Sequence, residues 1–138
     1  MIMLKRFFLL MCLTLVPLQF VQAAEVLNLD DVAVPVKLDG SRHSAKEVQT
    51  AIINACRARG WTPRLEGNTI VASILVRGKH YAEVGITYDA NKYSIRYRDS
   101  RDLKYNAEKN SIHRNYNNWV ARLSGTIQQN LGVNAQQF

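Results

Sequence analysis

The residues of this chain best suited to chemistry are arginines that alternate along one predicted strand. From Tyr93 to Arg98 the sequence reads Y-S-I-R-Y-R. A period of two sends Ser94, Arg96 and Arg98 to one side and Tyr93, Ile95 and Tyr97 to the other. Arg101 and Lys104 follow, and Arg77 falls on the same side of a neighbouring predicted strand, with Ser73 and Leu75. Guanidinium forks bind phosphate and carboxylate groups bidentately. Arg77, Arg96, Arg98 and Arg101 therefore form a candidate ligand-binding strip for an anion. A solvated sheet face accounts for the same pattern equally well.

Other chemistry finds less support. His43, His80 and His113 do not pair with each other or with a cysteine at metal-ligand spacing, so no metal is expected. There is no Gly-x-Ser-x-Gly elbow and no glycine-rich phosphate loop, and no cofactor is expected. Asp89-Ala90-Asn91 opens like a calcium loop, but Ser94 stands where glycine is needed and Arg98-Asp99 close it wrongly; it reads as a hairpin turn. A small hydrolase centred on His113 with Asp99 is the enzymatic alternative, but no nucleophile or acid–base constellation accompanies them. The sequence predicts no catalytic residue.

The elements that must carry these residues follow from periodicity. Val32, Val34, Val36 and Leu38 alternate with polar or small residues, and Pro35 places this strand at a sheet edge. Ser44 and Glu47 form a capping box before a helix striped by Val48, Ala51, Ile52 and Ala55, which Gly60 ends. Three hairpin-linked alternations follow, through Ile70 to Val76, Ala82 to Tyr88 and Tyr93 to Tyr97. Residues 99–110 are polar and irregular. Ser111 caps a second helix, with Ile112, Tyr116, Val120, Leu123, Ile127 and Leu131 on one stripe and Gly132 at its end. The fold class is α+β: a two-layer sandwich in which an antiparallel meander of about four strands has two amphipathic helices on one face.

The N-terminus carries an address. Lys5 and Arg6 precede an apolar run from Phe7 to Val16, and Val21-Gln22-Ala23 fits a peptidase cut after Ala23. Residues 1–23 are read as a cleaved signal peptide and 24–138 as a single domain, delivered to the periplasm. Met11 before Cys12 is too large for a lipoprotein signal, so no stable membrane anchor is expected. Of the two cysteines only Cys56 then remains, buried in a helix. The chain holds 18 basic and 11 acidic residues; without Lys5 and Arg6 the excess is +5. In that compartment the partner is an anionic envelope component or another envelope protein rather than nucleic acid.

One segment joins these readings. Tyr97, Asp99-Ser100, Leu103, Tyr105, Ile112-His113, Tyr116-Asn117 and Trp119-Val120 follow the pattern Tyr-x-Asp-Ser, Leu-x-Tyr, Ile-His, Tyr-Asn-x-Trp-Val. In this pattern the chain resembles a family of small exported proteobacterial proteins and lipoproteins of unknown function. The resemblance implies a compartment and no activity. From the residues themselves, Tyr97, Asp99, Ser100, Tyr105, His113, Tyr116 and Trp119 read as a structural loop-and-helix motif: Tyr93, Tyr97, Tyr116 and Trp119 fall at inward-pointing periods, with Asp99, Ser100 and His113 placed to tie down the loop. The functional expectation is a non-catalytic binding or accessory module of the cell envelope that recognises an anionic ligand or partner through its exposed sheet face. The alternatives are an accessory protein that adds its edge strand to a partner, and the small hydrolase.

Overall fold

Alternating apolar and polar residues from Thr62 to Arg101 build the sheet of this protein, seen here in a computed structural model that describes residues 23–132. The predicted signal peptide and Cys12 lie outside the described residues, apart from Ala23. The strands are β1 (Ala23–Glu25), β2 (Leu29–Ala33), β3 (Thr62–Glu66), β4 (Thr69–Val76), β5 (His80–Tyr88), β6 (Lys92–Arg101) and β7 (Ser111–His113). The helices are α1 (Ala45–Ala58) and α2 (Arg114–Leu131). The fold is α+β, with a five-stranded antiparallel sheet in the order β2-β6-β5-β4-β3 and a separate two-stranded ribbon of β1 and β7. The expected edge strand and meander correspond to β2 and β3 to β6; the sheet has five strands rather than about four, with β2 and β3 at its two edges.

Local signals set the helix ends. The Ser44 hydroxyl accepts from the Glu47 N–H at 3.1 Å, satisfying one of the unpaired donors of the first turn of α1. Gly60, at φ +81°, turns the chain out of α1 so that the Trp61 N–H reaches the Cys56 carbonyl at 2.9 Å. Gly132 closes α2 as expected. The start of α2 departs from expectation. Ser111 does not cap it; Ser111–His113 pair with Ala23–Glu25, and the His113 side chain caps instead, its Nδ1 accepting from the Asn115 N–H at 3.2 Å.

The first strand also ends early. Val34 donates its N–H to the Asn91 carbonyl at 2.8 Å, but Pro35 has no N–H to continue the ladder. The alternation beyond it is therefore not a strand, and Val36 and Leu38 stand 53% and 71% exposed.

The core lies between the helices and one face of the sheet. Val48, Ile52 and Cys56 of α1 and Tyr116, Val120, Leu123 and Ile127 of α2 join Ile70, Val84, Ile86 and Ile95 in one buried cluster. This is the stripe-on-sheet burial that both periodicities demand. Two polar atoms within it have no partner among the described residues, the Trp61 indole N–H and the Tyr116 hydroxyl. Among the described residues no helix is long and apolar enough to cross a membrane.

Two outcomes follow. Burial pushes the Cys56 thiol up to about 12, so the native protein should resist a thiol reagent at neutral pH and react on unfolding; stoichiometric labelling of the folded protein would overturn this. Tyr116→Phe removes an unsatisfied buried hydroxyl and should leave stability unchanged or raise it by up to about 1 kcal/mol. Tyr116→Ala, which empties a core site, should cost about 3–5 kcal/mol in denaturant titration.

Candidate functional site

The predicted arginine strip is shaped by a bulge. In the β5–β6 ladder Val84 faces Tyr97 and Glu83 faces Asp99, so Arg98 is the extra residue. Beyond the bulge the alternation is reset: Asp99 and Arg101 stand opposite Glu83 and Tyr81, and Ser100 opposite Ala82. Arg98 lies across Gly85, where an added Cβ would sit 3.1 Å from the Arg98 Cδ. Glycine there lets the Arg98 side chain approach closely without shifting.

Most of the strip is occupied by the protein's own carboxylates. Arg98 reaches Glu66 at 3.0 Å and Glu83 at 3.8 Å, and Arg64 reaches Glu66 at 3.1 Å and Glu83 at 3.2 Å. The four side chains close a ring of alternating charge on the outer face. Arg98 first, then Arg64, holds the Glu66 carboxyl below its usual range. Exposed pairs of this kind stabilise by only about 0–1 kcal/mol each, so the ring's main consequence is to cancel the field an approaching anion would feel. Arg96 pairs with Asp30 at 2.8 Å. Arg101 lies over the Tyr81 ring, 4.4 Å from its centroid. Of the four arginines in the strip, Arg77 alone has neither an ion pair nor a ring contact among the described residues.

The loop-and-helix motif is a packing unit. Tyr97 stacks on Tyr105 with centroids 4.2 Å apart and meets Tyr116 edge-on at 5.7 Å. The Tyr97 hydroxyl and the Ser100 Oγ are 2.7 Å apart, a reach that the bulge permits across three residues. Asp99 accepts from the Ser100 N–H at 2.8 Å, and the His113 N–H donates to the Leu103 carbonyl at 2.8 Å. Asn117 extends the unit to the N-terminal segment, accepting from the Leu27 N–H at 2.9 Å and donating to the Glu25 carbonyl at 2.8 Å. His113 and Asp99 are each committed to backbone, and no hydrogen bond joins them among the described residues.

Arg77 leads to a cavity on the other side of the hairpin. In the turn from β4 to β5 the Lys79 N–H donates to the Val76 carbonyl at 3.2 Å, and both central residues, Arg77 at φ +56° and Gly78 at φ +66°, are left-handed. Arginine in that conformation costs about 1–2 kcal/mol relative to an ordinary backbone. The turn projects over α2, and a cavity of about 230 Å³ opens between them, lined by Val76, Arg77, His80, Asn115, Asn118, Trp119 and Arg122. No carboxylate lines it. Arg77 and Arg122 have no side-chain partner among the described residues, in contrast to Arg64, Arg96 and Arg98. His80 is oriented by a 2.8 Å hydrogen bond between its Nδ1 and the Asp102 carbonyl. The sequence named Arg77 as part of the outer sheet strip, whereas it sits in the left-handed turn and lines this cavity beside α2. Arg122 and His80 were not legible as its neighbours, because only the packing of α2 against the β4–β5 turn brings them together.

Two larger cavities, of about 440 and 590 Å³, lie where α1 meets the end of α2. Their charged groups are engaged within the protein: Lys46 donates to Gln49 at 2.8 Å and Asp39 accepts from the Ser41 N–H at 2.8 Å. Glu47 takes Lys37 at 3.0 Å and the His43 Nδ1 at 3.1 Å, while the His43 Nε2 meets the Leu131 carbonyl at 2.6 Å. His43 thus ties the start of one helix to the end of the other. Among the described residues no group of histidine, cysteine or acidic side chains could hold a metal ion.

Compared with models of known families, with curated proteins and with solved structures, the chain matches none.

The Lys37 hydrogen bond first and the His43 bond second lower the Glu47 carboxyl to about 2, well below the ordinary glutamate range. A depressed carboxyl contributes stability above its unfolded value that is lost as the pH falls toward its folded one. Wild type and Glu47→Gln should therefore differ in melting temperature above pH 4.5 and converge as the pH approaches 2; a pH-independent gap would exclude this carboxylate as the cause.

Proposed function

We propose that this protein is an exported, non-catalytic binding module of the cell envelope that recognises an oxyanion of the phosphate or sulfate type. The seat is the cavity between the β4–β5 turn and α2 rather than the sheet strip. One observation carries the reading: Arg77 and Arg122 line a cavity free of carboxylates and have no partner among the described residues, whereas Arg64, Arg96 and Arg98 are paired. Two unpaired guanidinium groups supply bidentate donors, and the Asn115 and Asn118 amides lie beside them. At about 230 Å³ the cavity is smaller than a typical small-molecule site, so it suits one anionic group of a larger envelope component. The signal-peptide reading places that component outside the inner membrane, and the likeness to small exported proteobacterial proteins agrees with it.

Edge-strand addition finds no support in the sheet edges. β3 carries Pro63, and its Arg64 and Glu66 belong to the charged ring. β2 is bulged at Asp31, at φ +52°, with Asp30 paired to Arg96. Short, bulged and charged edges discourage further pairing.

The test is calorimetric titration with inorganic phosphate at low ionic strength. Arg77→Gln with Arg122→Gln should weaken binding at least tenfold without lowering thermal stability. Arg96→Gln with Arg98→Gln should leave binding within about twofold. Equal binding by the first pair and wild type, or loss confined to the second pair, would return the site to the sheet face or remove it.

A further inference from the structure

We infer that oxyanion binding in this cavity is coupled to the uptake of a proton by His80. This rests on the cavity being the anion site proposed above.

The argument starts from one hydrogen bond. The His80 Nδ1 lies 2.8 Å from the Asp102 carbonyl oxygen. A carbonyl only accepts, so Nδ1 carries the hydrogen whether the ring is neutral or charged. In the neutral ring, Nε2 is then a bare lone pair. Nε2 has no partner among the described residues, and His80 lines the cavity with Arg77 and Arg122.

A fully ionised sulfate or phosphate diester also offers only lone pairs. Such an oxyanion set against a neutral His80 faces an acceptor, and the two repel. Protonation converts Nε2 into a third cationic donor beside the two guanidinium groups. The anion-bound state therefore favours imidazolium, and binding and protonation strengthen each other by the same factor.

Arg77 comes from the β4–β5 turn and Arg122 from α2. Lys79 precedes His80 in the turn, and Arg101 and Asp102 end the β6 side. Arg77 and Arg122 line the cavity with His80 and no carboxylate joins them, so the entering anion supplies the compensating charge. Histidine is the side chain suited to such a change between pH 5 and 8.

Sulfate is the probe, because it does not titrate between pH 5 and 8. Calorimetry in buffers of different ionisation enthalpy counts the protons taken up on binding. Wild type should bind more weakly as the pH rises from 5 to 8, by at most about tenfold per unit, with net uptake of up to one proton. His80→Gln keeps a neutral polar side chain and should bind with nearly constant affinity. Constant affinity and no proton uptake in wild type would overturn the coupling while leaving the anion site standing. Persistence of the full pH dependence in a folded His80→Gln would overturn it as well. The absence of sulfate binding at every pH would remove the anion site and the coupling together.

Discussion

The bulge at Arg98 governs what each face of the sheet can do. One extra residue in β6 reverses the parity of everything after it. Ser100 is brought to the Tyr97 hydroxyl, and Asp99 and Arg101 turn to the outer face. The glycine on the neighbouring strand makes room for the Arg98 side chain. With Arg98 laid across Gly85, its guanidinium meets Glu66 and Glu83, and the outer face becomes a closed set of charges. Val71, fully buried though outside the main core cluster, sits between Arg64 and Gly85 in register; the aliphatic stems of the ring arginines account for its cover.

That closure separates two kinds of arginine that look alike in a sequence. Those on the sheet hold the protein's own acids, and the chain's positive excess is left to act elsewhere. At the β4–β5 turn, a left-handed arginine and an arginine of α2 converge on a cavity with histidine, amide and indole neighbours. Backbone strain of this sort persists where the surrounding structure holds it, and it is concentrated at functional positions. Within the predicted strip, the contrast between matched and unmatched cations, more than the number of cations, sets Arg77 apart.

How much of this was legible in the sequence depended on range. Ser44, Gly60 and Gly132 act on the few residues around them and were read correctly. The inward face of Ile70, Val84, Ile86 and Ile95 was equally plain, because alternation is local. The alternation of Val32, Val34, Val36 and Leu38 misled, since side-chain period says nothing of whether a neighbouring strand accepts the backbone, and Pro35 stops it. Ser111 was taken from the helix by β1, a strand some 90 residues earlier in the chain. The bulge at Arg98 left no mark within its own segment; its partner signal, Gly85, lies on another strand. The convergence of Arg77, His80 and Arg122 has the same character, being a product of packing rather than of spacing.

The ribbon of β1 and β7 also bears on the order of assembly. The β3–β6 meander joins neighbours through short turns, whereas Ala24 opposite Ile112 closes the chain across most of its described length. Loop-closure entropy sets local hairpins ahead of such remote pairs. The N-terminal strand, held through Asn117 and Asn28, is therefore the clasp of the fold: the sheet and helices can assemble before it, and its docking records that everything from the first hairpin to α2 is already in place.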